Sequence, residues 1–161
     1  MVSKLKIISL TMIALLALSG CKKNNWYDWK TLNEVWLKQN LINNPDIQVS
    51  SSGLQYRILA DPNPSEQRPH SACTVVCDYK TVLINGAVVD QAEEAVFAVS
   101  GVVPGFQEGL RKIHVHGDIE LWVPADLAYG KDGAGIEGNQ YFVPPYSVLY
   151  FKIHLHASSA D

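Results

Sequence analysis

Aromatic and branched apolar side chains are the main candidates for chemistry in this sequence. The chain has no GxSxG, phosphate-binding-loop or HExxH pattern, so no nucleophile, phosphate cradle or zinc pair is indicated. An apolar pocket with a few hydroxyl groups and one carboxylate binds a ligand and does not hydrolyse it. Residues suited to such a pocket stand at predicted strand ends or near glycine and proline: Tyr79, Phe97, Val102, Val103, Phe106, Tyr129, Phe142, Val143, Tyr146 and Phe151.

Two histidine pairs are a weaker candidate, for metal binding. His114 and His116, like His154 and His156, are separated by one residue, so each pair would share one face of a strand and could chelate a cation. No carboxylate or cysteine joins either pair in the sequence, and a specific site needs further ligands. We therefore expect a solvated sheet edge, with no metal site.

The cysteines limit the redox chemistry. Cys73 and Cys77 lie four residues apart in a β-like run, which places their Cα atoms roughly 13 Å apart on a strand. That separation is too long for a disulfide, and the sequence has no CxxC motif. We predict two free, buried thiols on one strand face.

The amino-terminal residues have the pattern of an export signal. Lys4 and Lys6 precede an apolar run over 7–18 that is too short for a membrane span. Leu-Ser-Gly-Cys then resembles the lipobox of bacterial lipoproteins, in which cleavage leaves a lipidated cysteine. We predict a signal peptide over residues 1–20 and lipidation of Cys21. An ordinary signal peptide or a short membrane anchor is the alternative.

A tether and a helix are predicted over residues 21–51. Asp28 is placed to cap a helix that runs from Trp29 to about Asn43 and ends before Pro45. Three tryptophans in this segment favour packing of the helix on the main domain, with a dimer or partner surface as the alternative. The predicted apolar side of the helix consists of Trp29, Leu32, Val35, Trp36 and Leu37.

Residues 52–161 are predicted to form one α+β domain, a mostly antiparallel sheet with one short helix. The helix is expected from Pro104 to about Lys112, between loops at 60–71 and 130–140. A formal net charge of −3 disfavours nucleic acid as a partner. Strands are expected at 54–59, 74–84, 87–89, 97–99, 119–123 and 148–156.

Three sequence blocks are the most specific signal in the chain. They are Val-Val-Pro-Gly-Phe-Gln-Glu-Gly-Leu at 102–110, Val-Pro-Ala-Asp-Leu-Ala-Tyr-Gly at 123–130 and Val-Pro-Pro-Tyr-Ser-Val-Leu-Tyr-Phe at 143–151. In order and spacing they resemble the FKBP family of peptidyl-prolyl cis-trans isomerases, and the resemblance covers about residues 52–157. It implies an FKBP-like twisted antiparallel sheet wrapped on a short helix, here preceded by an N-terminal helix.

The resemblance also implies a pocket between helix and sheet that needs no cofactor. Transferred residue by residue, the implied catalytic residues are Tyr79, Asp90, Tyr129 and Phe151. The implied substrate-binding residues are Phe97, Val102, Val103, Phe106, Ala128 and Val143.

Individual roles follow from the resemblance. The proline ring would be held by Phe97, Val103, Phe106 and Phe151. The Tyr129 hydroxyl would donate to one substrate carbonyl and the Val103 N–H would bind the next. Asp90 and Tyr79 would either polarise the surroundings of the rotating carbonyl or order the pocket.

The sequence departs from the family at several pocket positions. Phe106 stands where the family usually has tryptophan, which implies a deeper and less polar floor. Val89 replaces a common phenylalanine before the aspartate, and Thr81 replaces a common glycine. The 130–142 loop is longer than in short family members.

The implied function is peptidyl-prolyl cis-trans isomerisation that assists the folding of exported proteins. The expected partners are proline-containing unfolded proteins, FKBP-type macrolide ligands and, through the Cys21 lipid, a membrane. The expected location is the bacterial cell envelope, lipid-anchored on a periplasm-facing membrane, with the outer membrane favoured. One alternative is an FKBP-fold binding module without catalysis. Another is a structural envelope lipoprotein that acts through its N-terminal helix.

Overall fold

The computed structural model describes residues 26–160. In this part of the chain an antiparallel sheet has the spatial order β1-β2-β5-β6-β3-β4. Its strands are β1 (Gln48–Val49), β2 (Gln55–Ala60), β3 (Cys73–Leu83), β4 (Val88–Ala98), β5 (Asp118–Val123) and β6 (Leu149–Ala160). The helices are α1 (Tyr27–Asn43) and α2 (Pro104–Leu110), with 3₁₀ turns at Val99–Gly101 and Ala125–Leu127. The α+β prediction is confirmed.

The core lies between α2 and one face of the sheet. The strand predicted at 148–156 is confirmed as β6, and its Phe151, Ile153 and Leu155 are buried on that face. Helix α2 approaches the sheet closely through Gly105 and Gly109, where any added Cβ would collide with Val123 and Leu121 of β5. Small residues at these positions therefore set the distance between the helix and the pocket-bearing sheet.

The two cysteines of β3 are free and buried, as predicted. They share a face of the strand with Val75. Burial, followed by the nearby charge of Asp78, raises the pKa of the Cys77 thiol to about 11. This thiol stays protonated at neutral pH and acts as a small apolar core group.

Two strand predictions require correction. The segments expected at 87–89 and 97–99 belong to one strand, β4. Its alternation is interrupted by a bulge near Glu94, which has φ +49° and whose N–H donates to Asp78 Oδ1 at 2.8 Å. The segment that follows α1, where no strand is predicted, contains β1, which pairs with β2.

The predicted packing face of α1 is wrong in part. The helix begins at Tyr27, and no side chain caps it, so Asp28 lies in the first turn. Leu32 and Val35 are each 58% exposed. The most buried helical positions are Asn33 and Asn40, whose amides have partners on other segments. Because their amides have hydrogen-bond partners, these polar side chains can be buried. The spacing of apolar residues along the helix does not reveal such partners.

The histidines have carboxylate partners that the sequence does not pair with them. The His114 Nδ1 lies 2.8 Å from Asp61 Oδ2, and His154 Nδ1 lies 3.0 Å from Asp118 Oδ1. His114 and His116 occupy the turn between α2 and β5 and do not lie on a strand. Within residues 26–160 no group of three or more histidine, cysteine, aspartate or glutamate side chains could hold a metal ion.

The membrane-related predictions fall outside the described part of the chain. The signal peptide over 1–20 and Cys21 both precede residue 26. Among the described helices, neither is long and apolar enough to cross a membrane.

Candidate active site

Helix α2 places the floor of a pocket. Val103 precedes the helix with extended backbone angles, and Pro104 takes the first helical position, where its missing N–H costs nothing. The Val103 carbonyl accepts the N–H groups of Phe106 and Gln107, which fixes the first turn. Phe106 consequently faces the sheet and is only 3% exposed.

The bulge in β4 places the opposite wall. Asp90 pairs with Thr81, Ala92 with Tyr79, and Phe97 with Val75. In a regular strand residues 90 and 97 would face opposite sides, because their separation is odd. The extra residue at the bulge returns Phe97 to the side that carries Asp90. The local irregularity thus delivers both side chains to one pocket.

An aromatic cluster connects the floor to this wall. The Phe106 ring lies 5.2 Å from the Phe151 ring, 6.2 Å from the Tyr79 ring and 6.3 Å from the Phe97 ring, measured between centroids. All three contacts are edge-to-face, as is the Tyr79–Phe97 contact at 5.4 Å. Such contacts are favourable and directional, so each ring constrains the orientation of the others.

Tyr79 and Asp90 form the polar side of the cluster. The Tyr79 hydroxyl donates to Asp90 Oδ2 at 2.8 Å. Burial, this hydrogen bond and the Asp90 charge raise the pKa of Tyr79 above its ordinary value. Burial and the same charge raise the pKa of Tyr129. Both hydroxyls therefore remain protonated donors over the neutral range.

The loop after β5 closes the pocket. Ala134 and Val143 exchange backbone hydrogen bonds of 2.9 and 2.8 Å, which fold the loop back on itself. Val143 is buried against the core, whereas Tyr129 is 44% exposed. Within residues 26–160 the Tyr129 hydroxyl has no hydrogen-bond partner, so a bound ligand can accept from it.

These elements surround a half-open cavity of about 580 Å³. This volume is in the usual range for small-ligand sites. Nine of the ten predicted pocket residues line the cavity. Ala128 does not, since it packs half-buried against the core. The nine are Tyr79, Asp90, Phe97, Val102, Val103, Phe106, Tyr129, Val143 and Phe151.

Five lining residues stand outside the ten predicted ones. Thr81 and Val89 were noted only as departures from the family, and three others were not predicted. Tyr141 and Ala134 come from the long loop, and Gly101 comes from the 3₁₀ turn before α2. The aromatic at position 141 was a usable signal, because it follows a glycine-rich stretch beside the Val-Pro-Pro block. Ala134 and Gly101 gave no signal in the sequence. A small residue lines a pocket only when the fold of the backbone brings it there, and its side chain does not indicate this.

Comparisons with known proteins identify the family to which the chain belongs. Residues 65–156 match the FKBP-type peptidyl-prolyl cis-trans isomerase family. FkpA of Escherichia coli strain K12, named an FKBP-type peptidyl-prolyl cis-trans isomerase, is 38% identical over 113 residues, covering 68% of this chain and 39% of that protein. Outer membrane protein MIP of Legionella longbeachae is 39% identical over 115 residues, covering 69% and 46%.

The structural comparison covers a larger share of the chain than the sequence comparisons do. The crystal structure of FkpA from Escherichia coli has a TM-score of 0.71 and 32% identity, covering 83% of this chain and 62% of that one. The chain spans about half the length, or less, of these two curated relatives. Since the family match covers more than half of its residues, the chain belongs to the FKBP-type peptidyl-prolyl cis-trans isomerase family.

Proposed function

We propose that this protein catalyses cis–trans isomerisation of X–Pro bonds in unfolded, exported proteins. The observation that carries the proposal is the half-open aromatic cavity with the unpartnered Tyr129 hydroxyl at its rim. Family membership and the names of the two relatives support the same activity. Substrates would be flexible segments, because the cavity must receive proline together with its flanking backbone.

The chemistry requires no covalent step. Rotation about the X–Pro bond crosses a barrier of about 18–20 kcal/mol, because twisting removes amide resonance. The uncatalysed exchange takes tens to hundreds of seconds. A dry pocket removes the water that stabilises the planar, more dipolar amide. An enzyme accelerates this reaction by binding the twisted amide more tightly than the planar one.

The lining residues fit this task. Phe97, Phe106 and Phe151 would surround the pyrrolidine ring, with Val103 beside them. The Tyr129 hydroxyl would donate to one substrate carbonyl and the Val103 N–H to the next. The Tyr79–Asp90 hydrogen bond would hold the polar wall in place as the imide carbonyl rotates past it. Val102 and Val143 would contact flanking residues.

Tyr129→Phe is expected to lower kcat/KM for proline tetrapeptides about two- to tenfold, the usual effect of one lost hydrogen bond. The measurement is acceleration of isomerisation by the purified protein. Tyr56→Phe is the matched control, because the Tyr56 hydroxyl bonds Gln48 outside the cavity. Equal effects of both substitutions would contradict the role of Tyr129.

The wild-type measurement tests the function itself. If the folded protein does not accelerate isomerisation, catalysis is excluded. Binding of proline peptides or of an FKBP-type macrolide in that case would identify a non-catalytic binding module. Acceleration that Tyr129→Phe reduces would support the enzyme and its pocket together.

We further propose that the protein is anchored in a bacterial cell envelope by a lipid on Cys21. Residues 1–20 would be the signal peptide, 21–51 the lipidated tether and helix, and 52–161 the isomerase domain. The lipobox-like Leu-Ser-Gly-Cys sequence supports this proposal, as does the name of the Legionella relative. Expression of the full chain in bacteria with radiolabelled palmitate should label the wild type and not Cys21→Ala. Equal labelling of the two would refute the assignment.

A further inference from the structure

Trp26 and the amino-terminal half of α1 that follows it contact the segment that closes the pocket. The Trp26 ring lies 5.8 Å from the Phe142 ring, and the Lys30 ammonium lies 5.1 Å from the centre of the Tyr146 ring. These contacts join residues more than a hundred positions apart. The prolyl pocket itself contains no residue of α1, so the cavity alone does not explain them.

A chain of hydrogen bonds runs from the helix into the loop. The Trp29 indole N–H donates to Ser147 Oγ at 2.9 Å, and the Ser147 hydroxyl donates to the Pro144 carbonyl at 2.6 Å. A serine hydroxyl carries one hydrogen, so donation to Pro144 leaves its oxygen free to accept from Trp29. Ser147 is buried, and the indole therefore fixes the direction of its hydroxyl.

A second hydrogen bond secures the next residue. Asn33 is 1% exposed, and its Oδ1 accepts the Val148 N–H at 2.7 Å. Its Nδ2 donates to the Trp29 carbonyl at 2.8 Å, which fixes the orientation of the amide. Helix α1 thus holds Ser147 and Val148 through two adjacent turns.

The segment held in this way positions both sides of the pocket mouth. Pro144 follows Val143, whose backbone pairs with Ala134 in the cavity lining. Tyr146 has φ +64°, and its N–H donates to the Gly130 carbonyl at 2.8 Å, next to Tyr129. A shift of the Pro144–Ser147 turn would therefore move the Val143 wall and the Tyr129 loop together.

We propose that Trp29 and Asn33 are positioning residues for the prolyl pocket. Trp29 acts through Ser147 and the Pro144 carbonyl, and Asn33 acts through the Val148 N–H. The proposal rests on the function proposed above. Preorganisation of the closing loop removes the cost of ordering it when peptide binds. Loosening the loop should weaken the binding of planar and twisted substrate alike, so the loss should fall mainly on KM.

Trp29→Phe tests this proposal, because it removes the indole N–H and keeps an aromatic ring. We expect kcat/KM to fall about five- to tenfold, mostly through KM, at a temperature where the variant is fully folded. Amide hydrogen exchange at Ala134 and Val143 should accelerate by at least about fivefold. Ser147→Ala should have the same effects, and the double variant should be no worse than Ser147→Ala alone.

Trp36→Phe is the matched control on the same helix. Trp36 lines a separate groove with Trp122 and Tyr150 and does not line the prolyl pocket. This variant should leave KM and the exchange of Ala134 and Val143 unchanged, even if the melting temperature falls. If Trp29 only stabilised the fold, Trp29→Phe would lower the melting temperature, as is expected of Trp36→Phe, and would not raise KM.

The two readouts separate the possible failures. Unchanged exchange at Ala134 and Val143 in Trp29→Phe would overturn the positioning role, whatever the activity. Equal changes in Trp29→Phe and Trp36→Phe would overturn it as well. If wild-type protein has no isomerase activity but exchange responds as expected, the function proposed above fails while the control of the loop by α1 stands.

Discussion

Phe151→Leu is expected to lower kcat/KM for proline tetrapeptides by about tenfold or more, corresponding to about 1.4 kcal/mol of lost transition-state stabilisation. Phe151 is buried, lines the cavity, and makes an edge-to-face contact with Phe106 at 5.2 Å between centroids. Leucine retains the apolar character but not the flat face against which a pyrrolidine ring can pack. It also removes the ring contact that orients Phe106, so the floor and the wall of the pocket no longer fit against each other.

The substitution should leave the protein folded. A change of shape at a buried apolar position usually costs about 1–2 kcal/mol, less than the stability of an ordinary domain. Tyr150→Leu is the matched control. Tyr150 precedes Phe151 on β6 but faces the other side of the sheet, where its hydroxyl bonds Glu120. Its replacement should reduce stability and leave kcat/KM within about twofold.

The measurements are initial rates of isomerisation and thermal melting of both variants. If Phe151→Leu retained wild-type kcat/KM, the aromatic wall would not take part in catalysis. If Tyr150→Leu lost activity equally, the loss would reflect general disturbance of β6 instead of the pocket.

The opposite faces of these two neighbours were predictable from the sequence. Alternation along β6 is local information, because successive side chains of a strand point to opposite sides. The short helix after Pro104 was predictable for the same reason, since proline at the first helical position depends on nothing distant. Strong local patterns therefore placed the floor of the pocket and one of its walls.

The other wall depends on a distant contact. A bulge in β4 brings Asp90 and Phe97 to one face. It is held by the Asp78 carboxylate of the neighbouring strand β3, which accepts the Glu94 N–H. Before the partner strand is known, the same residues are equally consistent with two short strands. The sequence alone therefore offered Phe97 as a pocket candidate, and only the family resemblance placed Asp90 in the same pocket.

The packing face of α1 was unpredictable for a related reason. Asn33 and Asn40 are buried because Val148 and Gln55 supply the partners for their amides. A pattern that equates apolar with buried assigns Leu32 and Val35 to the interface instead. Polar interfaces between segments far apart in sequence have no periodic signature. As a result, the contact between α1 and the pocket loop emerges only from the structure.

Gly133→Ala is expected to reduce kcat/KM by at least about tenfold, because it would force the pocket loop out of position. Gly133 has φ +67°, which costs a residue with a Cβ about 1–2 kcal/mol. The added methyl group would also collide with the Val143 carbonyl and lie 2.8 Å from the Pro145 nitrogen. These are backbone atoms, so no side-chain rotation can relieve the contact.

Relief would require separation of the Gly133 and Val143 segments, which the paired hydrogen bonds between Ala134 and Val143 oppose. Gly138→Ala separates the effect of this collision from the cost of placing a Cβ at a positive φ angle. Gly138 lies in the same loop with φ +91°, and its added Cβ would meet no atom within 4 Å. It should therefore lower stability slightly and leave most of the activity, whereas Gly133→Ala should lose both activity and protection of the Val143 amide from exchange. Equal activity in the two variants would show that the position of Val143 does not limit catalysis. Loss of activity in Gly133→Ala alone would show that the backbone path of the loop determines the pocket as much as the side chains that line it do.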